Sequence, residues 1–202
     1  TVLAITGVLH VFSNIIKIIL FHKGVNIKLI LLIGLPSIVF VFIGSILTSY
    51  VNLKYAEILL GVFLIVFSLI FFIKPNLVIK PTNTNAIVGG GLAGFLAGII
   101  GTGGAIRGVC LTAFNLDKVA FVSTSAIIDL GVDFTRTSVY LFNGYLEKEF
   151  YYLVPILFVI ALIGSYIGKL ILKKIPEKNF KKIVLLFLFI IGLVMIFKYL
   201  MH

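Results

Sequence analysis

"GIIGTGGAIRGVC", residues 98–110, decides how the chain is read, because it interrupts apolar sequence where an unbroken helix would otherwise run. Gly98, Gly101, Gly103, Gly104 and Gly108 fall within it, together with the charge of Arg107. Two geometries suit the surrounding segment, 86–115. One is a single crossing of about 30 residues, about 45 Å as a helix, long for a ~30 Å hydrocarbon core. The other is a re-entrant hairpin, with a half-helix 86–100, a glycine turn and a half-helix 105–115 returning to its starting side. Glycine permits such a turn because it accepts positive φ at little cost.

The rest of the chain sets the context. Of 202 residues, 61% are hydrophobic and 12% charged, and the mean hydropathy is +1.24. A soluble domain is about half apolar and about a quarter charged, so this composition excludes one and defines a polytopic helical membrane protein. Apolar runs predict six spans, near 2–21, 28–50, 56–73, 119–142, 150–171 and 180–200. A polar linker, "KPNLVIKPTNTN" at 74–85, precedes the glycine segment. The net charge of +10 lies mostly in short loops, where lysines act as topology signals and attract anionic headgroups rather than nucleic acid. The single cysteine, Cys110, excludes an internal disulfide and reads as a small core residue.

Lysine distribution discriminates between the two geometries. If 86–115 crosses, the lysines other than Lys17 divide six against eight; if it turns back, eleven fall on one side and three on the other. Positive loops belong in the cytoplasm. The hairpin is therefore expected, with the linker and the "KKIPEKNFKK" loop inside and the C-terminus outside, in a multi-pass protein of the cell (plasma or inner) membrane.

An internal repeat points the same way. Shifted by 119 residues, Thr6 meets Ser125, His10 meets Asp129, Asn14 meets Asp133, Lys17 meets Arg136 and Pro36 meets Pro155. One residue of slippage later, "IGS" at 43–45 meets "IGS" at 163–165. A unit of one hairpin and three spans has odd parity, so two copies lie in opposite orientation, an arrangement that places binding sites between the repeats. The expected organisation is a first repeat 1–73 of three spans, a cytoplasmic linker 74–85, and a second repeat 86–202 of hairpin plus three spans. The chain opens on Thr1 rather than methionine, and the first repeat lacks a hairpin of its own, so a preceding segment is expected.

Several positions carry chemistry. Beyond the turn, a second half-helix would present free N–H groups and a positive dipole end to an anion. Arg107, one turn in, adds a forked donor set suited to carboxylate or sulfonate oxygens. Gly101, Thr102, Gly103, Gly104 and Arg107 are thus expected to bind substrate, whereas Gly90, Gly94 and Gly98 have the spacing of close helix packing. Asp129, Asp133 and Arg136, at i, i+4 and i+7, line one helix face. Charges at that depth face a cavity or each other. Asp133 and Arg136 stand at ion-pair spacing, which leaves Asp129 as the better protonatable coupling group. Ser123, Thr124 and Ser125 offer hydroxyls either to a ligand or to their own helix.

The repeat-related face adds Thr6 and Asn14 as ligand contacts, with His10 and Lys17 as coupling or gating groups. Histidine titrates near neutrality, so His10 reads as a proton relay or as a buried neutral imidazole. Lys17 either faces the site or snorkels toward the helix end. His22 and His202 receive no role. Three cations (Lys17, Arg107, Arg136) against two carboxylates favour a small anionic substrate. No hydrolase constellation, phosphate-binding loop, cofactor motif or H-E-x-x-H metal motif is present, so neither enzyme nor metal protein is expected.

The stretch "GGGLAGFLAGIIGTGGAIRGVCLTAFNLDKVAFVSTSAI" (89–127) resembles the sulfite exporter TauE/SafE family, described as membrane transporters of organosulfur anions. "FNGYL" (142–146) and "ALIGSYIGKLILKKIPEKNFKKIVLLFLFIIGL" (161–193) continue the resemblance. Where members carry a proline after the glycine run, this chain has Arg107. The resemblance implies secondary transport, export or uptake, of sulfite, sulfonates or related acids by alternating access, with proton coupling and a homodimer as open questions. The competing readings are an anion channel and a non-transporting membrane subunit.

Overall fold

The computed structural model describes residues 1–51, 53–73, 82–101, 103–114 and 116–200; most of the expected linker, Thr102 and His202 lie outside them. In chain order the helices are α1 (Val2–Leu20), α2 (Ile27–Leu29), α3 (Leu35–Leu47), α4 (Leu53–Ile73), α5 (Asn83–Ile100), α6 (Gly104–Ala113), α7 (Lys118–Phe142), α8 (Leu153–Lys174) and α9 (Glu177–Leu200). A π-helical turn, Ile30–Gly34, joins α2 to α3. It lies just ahead of Pro36, which lacks an N–H and would clash in an uninterrupted α-helix. Caps fix the polar ends. Asn26 Oδ1 accepts from Leu29 N at 3.1 Å, and Asp117 Oδ1 accepts from the amides of Val119 and Ala120, both at 2.9 Å.

The fold is all-helical among the described residues, and five stretches are long and apolar enough to cross a membrane: Val2–Leu20, Ile27–Leu47, Asn83–Ile100, Leu153–Lys174 and Glu177–Lys198. This differs in detail from the six expected spans. The apolar part of α4, Glu57–Ile73, is shorter, and α7 carries Asp129, Asp133 and Arg136 along its length. Large apolar side chains such as Phe40, Phe63, Ile160 and Phe187 face outward, the pattern of a protein whose solvent is lipid.

At residues 98–110 the chain turns back. Gly101 ends α5 in the left-handed region at φ +82°, its amide donating to Ala97 O at 3.0 Å, and α6 starts at Gly104. Gly103 lies against the carbonyl of Ala93, and Gly89 lies against Cys110 Sγ. In one continuous helix, residues 89 and 110 would stand about 31 Å apart; here they touch. The half-helices begin and end a few residues from the expected limits.

Contacts at the two ends agree. Lys23, Lys118, Lys169 and Lys173 surround one cavity, whereas an unbroken crossing would put Lys23 on the opposite side from the other three. At the other end, Lys198 Nζ bonds Glu57 Oε2 at 3.1 Å, and Thr1 Oγ1 donates to Glu147 Oε1 at 2.6 Å.

The seat of α5 is the backbone of the second span. A Cβ on Gly90, Gly94 or Gly98 would run into the carbonyls of Ile33, Ser37 and Val41 respectively. Ser37 Oγ bridges Ile33 O at 2.7 Å and Gly90 O at 2.8 Å. Gly98 O receives two hydroxyls, Thr48 Oγ1 at 2.7 Å and Tyr140 Oη at 2.5 Å. Hydroxyls from α7 and from the turn after α3 thus hold a carbonyl near the broken end of α5, as non-helical backbone at membrane depth requires. On the far flank, α4 packs on α9 with Gly61 and Gly192 backbone to backbone, beside a core of Leu60, Leu64, Phe67, Leu185 and Leu188.

Candidate functional site

A cavity of about 280 Å³ opens where the hairpin tip meets α1 and α7. The tip contributes Gly101, Gly103, Gly104 and Arg107; α1 contributes His10, Asn14 and Lys17; α7 contributes Asp129, Asp133 and Arg136. Asp129 lies eleven residues into α7, about 16 Å along the axis, well away from either helix end.

The buried charges form a connected set. Arg107, 1% exposed, is ion-paired through Nη1 with Asp129 Oδ1. Asp129 Oδ2 also accepts from Ser125 Oγ at 2.8 Å. One turn on, Asp133 Oδ1 accepts from Arg136 Nε at 2.7 Å and Oδ2 accepts from Asn14 Nδ2 at 2.7 Å. Lys17 Nζ donates to Asn14 Oδ1 at 2.8 Å, and His10 Nδ1 stands 3.9 Å from Asp133 Oδ2. Asn14 therefore joins a cation of α1 to an anion of α7, and Asp133 is the node where α1 and α7 meet.

Two donors are left over. Arg107 Nε and Arg136 Nη1 are buried without a hydrogen-bond partner among the described residues. An unpaired buried guanidinium N–H is costly, and both side chains line the cavity. Gly101 makes one of these placements feasible, since a Cβ there would stand only 3.2 Å from Arg136 Nη1. The N-terminus of α6 carries no side-chain cap, so its first amides add to the positive potential at the same wall. The lining holds three basic side chains besides His10, against two carboxylates. The arrangement offers donors and positive charge to a small oxyanion.

Ten of the residues singled out from the sequence line this one cavity: His10, Asn14, Lys17, Gly101, Gly103, Gly104, Arg107, Asp129, Asp133 and Arg136. Ser125 stands behind them, holding Asp129. Thr6, Ser123 and Thr124 do not line it. Thr6 Oγ1 bonds back to Val2 O and Leu3 O, and Ser123 Oγ to Ala120 O. Thr124 Oγ1 accepts from Asn26 N at 3.0 Å and so ties α7 to the start of the second span. Thr102 lies outside the described residues. Ala97 and Tyr140 escaped the sequence reading. Tyr140 continues the row of Asp129, Asp133 and Arg136 by four residues, and that spacing was its available signal.

Broken helix, buried charges and lipid-facing exterior together define a multi-pass membrane protein of the transporter type, with its polar site at the break. The model of the family described as Sulfite exporter TauE/SafE matches residues 1–195. The chain belongs to that family, one of membrane transporters for sulfur-containing anions. No curated protein and no solved structure matches it.

Proposed function

We propose that this chain is a secondary transporter of a small anion such as sulfite, a sulfonate or a related organic acid. It works by alternating access in the cell membrane, with its lysine-rich loops cytoplasmic. The observation that carries the proposal is the pair of buried guanidinium groups, Arg107 and Arg136, which line the hairpin-tip cavity and each keep a nitrogen without a hydrogen-bond partner among the described residues.

Charge balance sharpens the reading. With three cations and two carboxylates around it, the cavity becomes neutral on taking up one negative charge. A dianion reaches the same neutrality only if a carboxylate or His10 also takes a proton, because net buried charge is strongly disfavoured. Asp129 is the proton site in this scheme: an incoming oxyanion takes its place on Arg107, and a proton replaces the arginine as the partner of the released carboxylate. The Asn14–Asp133 hydrogen bond is consistent with an inverted-repeat architecture, in which residues related by the 119-residue shift come together beside the two-fold axis.

The decisive experiment screens sulfur oxyanions and carboxylates for thermal stabilisation of the purified protein, then measures counterflow in proteoliposomes. Arg107→Ala is expected to abolish stabilisation by the best anion while the protein stays folded, and Arg107→Lys to restore only part of it. Unchanged affinity in Arg107→Ala removes this residue from the site, and ohmic current without counterflow replaces the carrier with a channel. Asp129→Asn should flatten the pH dependence of transport; a profile identical to wild type refutes its role in proton coupling.

A further inference from the structure

Away from the hairpin tip, two cavities join end to end along the outside of α1, α7 and α8. The first, about 340 Å³, has Lys23, Lys118, Lys169 and Lys173 around an apolar floor that includes Phe21 and Leu172. The second, about 270 Å³, shares Phe21 and Leu172 and continues over Gly164, Ser165 and Gly168 of α8. Together they form a furrow with four lysines at one end and a mostly apolar floor along its length, with Lys17 of the hairpin-tip cavity also in the wall of the second part.

We propose that an anionic phospholipid docks in this furrow, its phosphate among the lysines and an acyl chain lying across Gly164 and Gly168. The cationic end is built rather than incidental. Lys118 Nζ donates to Leu172 O at 3.1 Å and Ile175 O at 2.6 Å, which fixes the ammonium and leaves its third N–H free for an oxyanion. Lys169 Nζ rests 5.9 Å from the centre of the Phe21 ring. Among the described residues, no carboxylate lines the first cavity. The neighbouring acids are engaged with backbone: Asp117 caps α7, and Glu177 Oε1 accepts from Lys118 N at 2.6 Å.

The apolar end is shaped by absence of side chain. A Cβ at Gly164 or Gly168 meets nothing within 4 Å, so the two glycines keep the floor of the furrow low and open toward lipid. Lysines at the membrane surface attract anionic headgroups, and apolar surface below them takes the chain of the same molecule. A free anion satisfies only the first half of that chemistry, whereas a phospholipid satisfies both.

The test uses the full chain in detergent, with lipid retention read by native mass spectrometry and stability by thermal unfolding. The probes are phosphatidylglycerol, phosphatidylcholine and inorganic phosphate. Wild type should retain phosphatidylglycerol over phosphatidylcholine by about tenfold, and inorganic phosphate should not displace it. The triple variant Lys23→Ala, Lys169→Ala, Lys173→Ala should lose the preference between the two lipids. Gly168→Leu should reduce retention of both lipids about tenfold while leaving Arg107-dependent anion stabilisation intact.

Displacement by inorganic phosphate overturns the proposal in favour of a free-anion site. Undiminished lipid retention in Gly168→Leu overturns the chain placement. A Gly168→Cys variant on a Cys110→Ser background that crosslinks to a second copy overturns it in favour of a protein interface.

Discussion

Helices α3 and α8 share a proline in or near the first turn and an "IGS" triplet farther on, yet they meet different surroundings. In the span that contains α3, 39% of the most apolar stretch is buried; in α8 the figure is 11%. Gly44 of α3 is pressed against the carbonyl of Phe95, and Ser45 is fully buried. Gly164 of α8 faces open space, and among the described residues Ser165 Oγ reaches only Ser13 Oγ, at 3.4 Å. Small residues on a membrane helix permit close approach without enforcing it. What differs is the neighbour: α3 has a glycine-lined half-helix laid along it, and α8 has a furrow.

The strongest way to break this comparison is to give both helix faces the same bulk. Gly94→Leu places a side chain where Ser37 backbone already stands, and should cost at least ~3 kcal/mol or prevent folding. Gly164→Leu should shift stability by no more than ~0.5 kcal/mol. Thermal unfolding in detergent reads both, and similar losses in the two variants would erase the distinction. A smaller effect comes from Thr48→Val combined with Tyr140→Phe, which leaves Gly98 O without either of its hydroxyl donors. The double variant should lose ~3 kcal/mol, more than the sum of the two single variants at about 1 kcal/mol each, because only the double leaves the buried carbonyl unsatisfied. Strict additivity of the two singles would mean that they do not share the carbonyl. The smallest effect is that of Ser165→Ala, which should fall within ~0.5 kcal/mol because its contact is long; Ser45→Ala, which removes a buried 2.7 Å bond to Val41 O, should exceed it.

The reversal of the chain was legible because glycine clustering and lysine asymmetry both bear on it, one through backbone freedom and the other through topology. The polar centre was legible for a related reason: charge inside an apolar helix is expensive, so Arg107, Asp129, Asp133 and Arg136 stood out against their surroundings. Pairing was less accessible. Asp129 read as a carboxylate with little cover, but its partner Arg107 lies on another helix, and no local spacing announces that contact. Ser123 and Thr124 were ambiguous for the converse reason. A hydroxyl beside a site has the same sequence signature whether it faces a ligand, its own carbonyl or, as with Thr124, the amide of Asn26. The π-helical turn at Ile30–Gly34 was not anticipated, although Pro36 supplies its cause.

Because α5 rests on the second span through bare backbone, with side-chain atoms absent from Gly90, Gly94 and Gly98, the two elements cannot slide past one another as ordinary packed helices do. They form a single rigid sled. If α6 rides on that sled, a tilt against α1 and α7 would shift Arg107 relative to Asp129, and that one ion pair would report the motion.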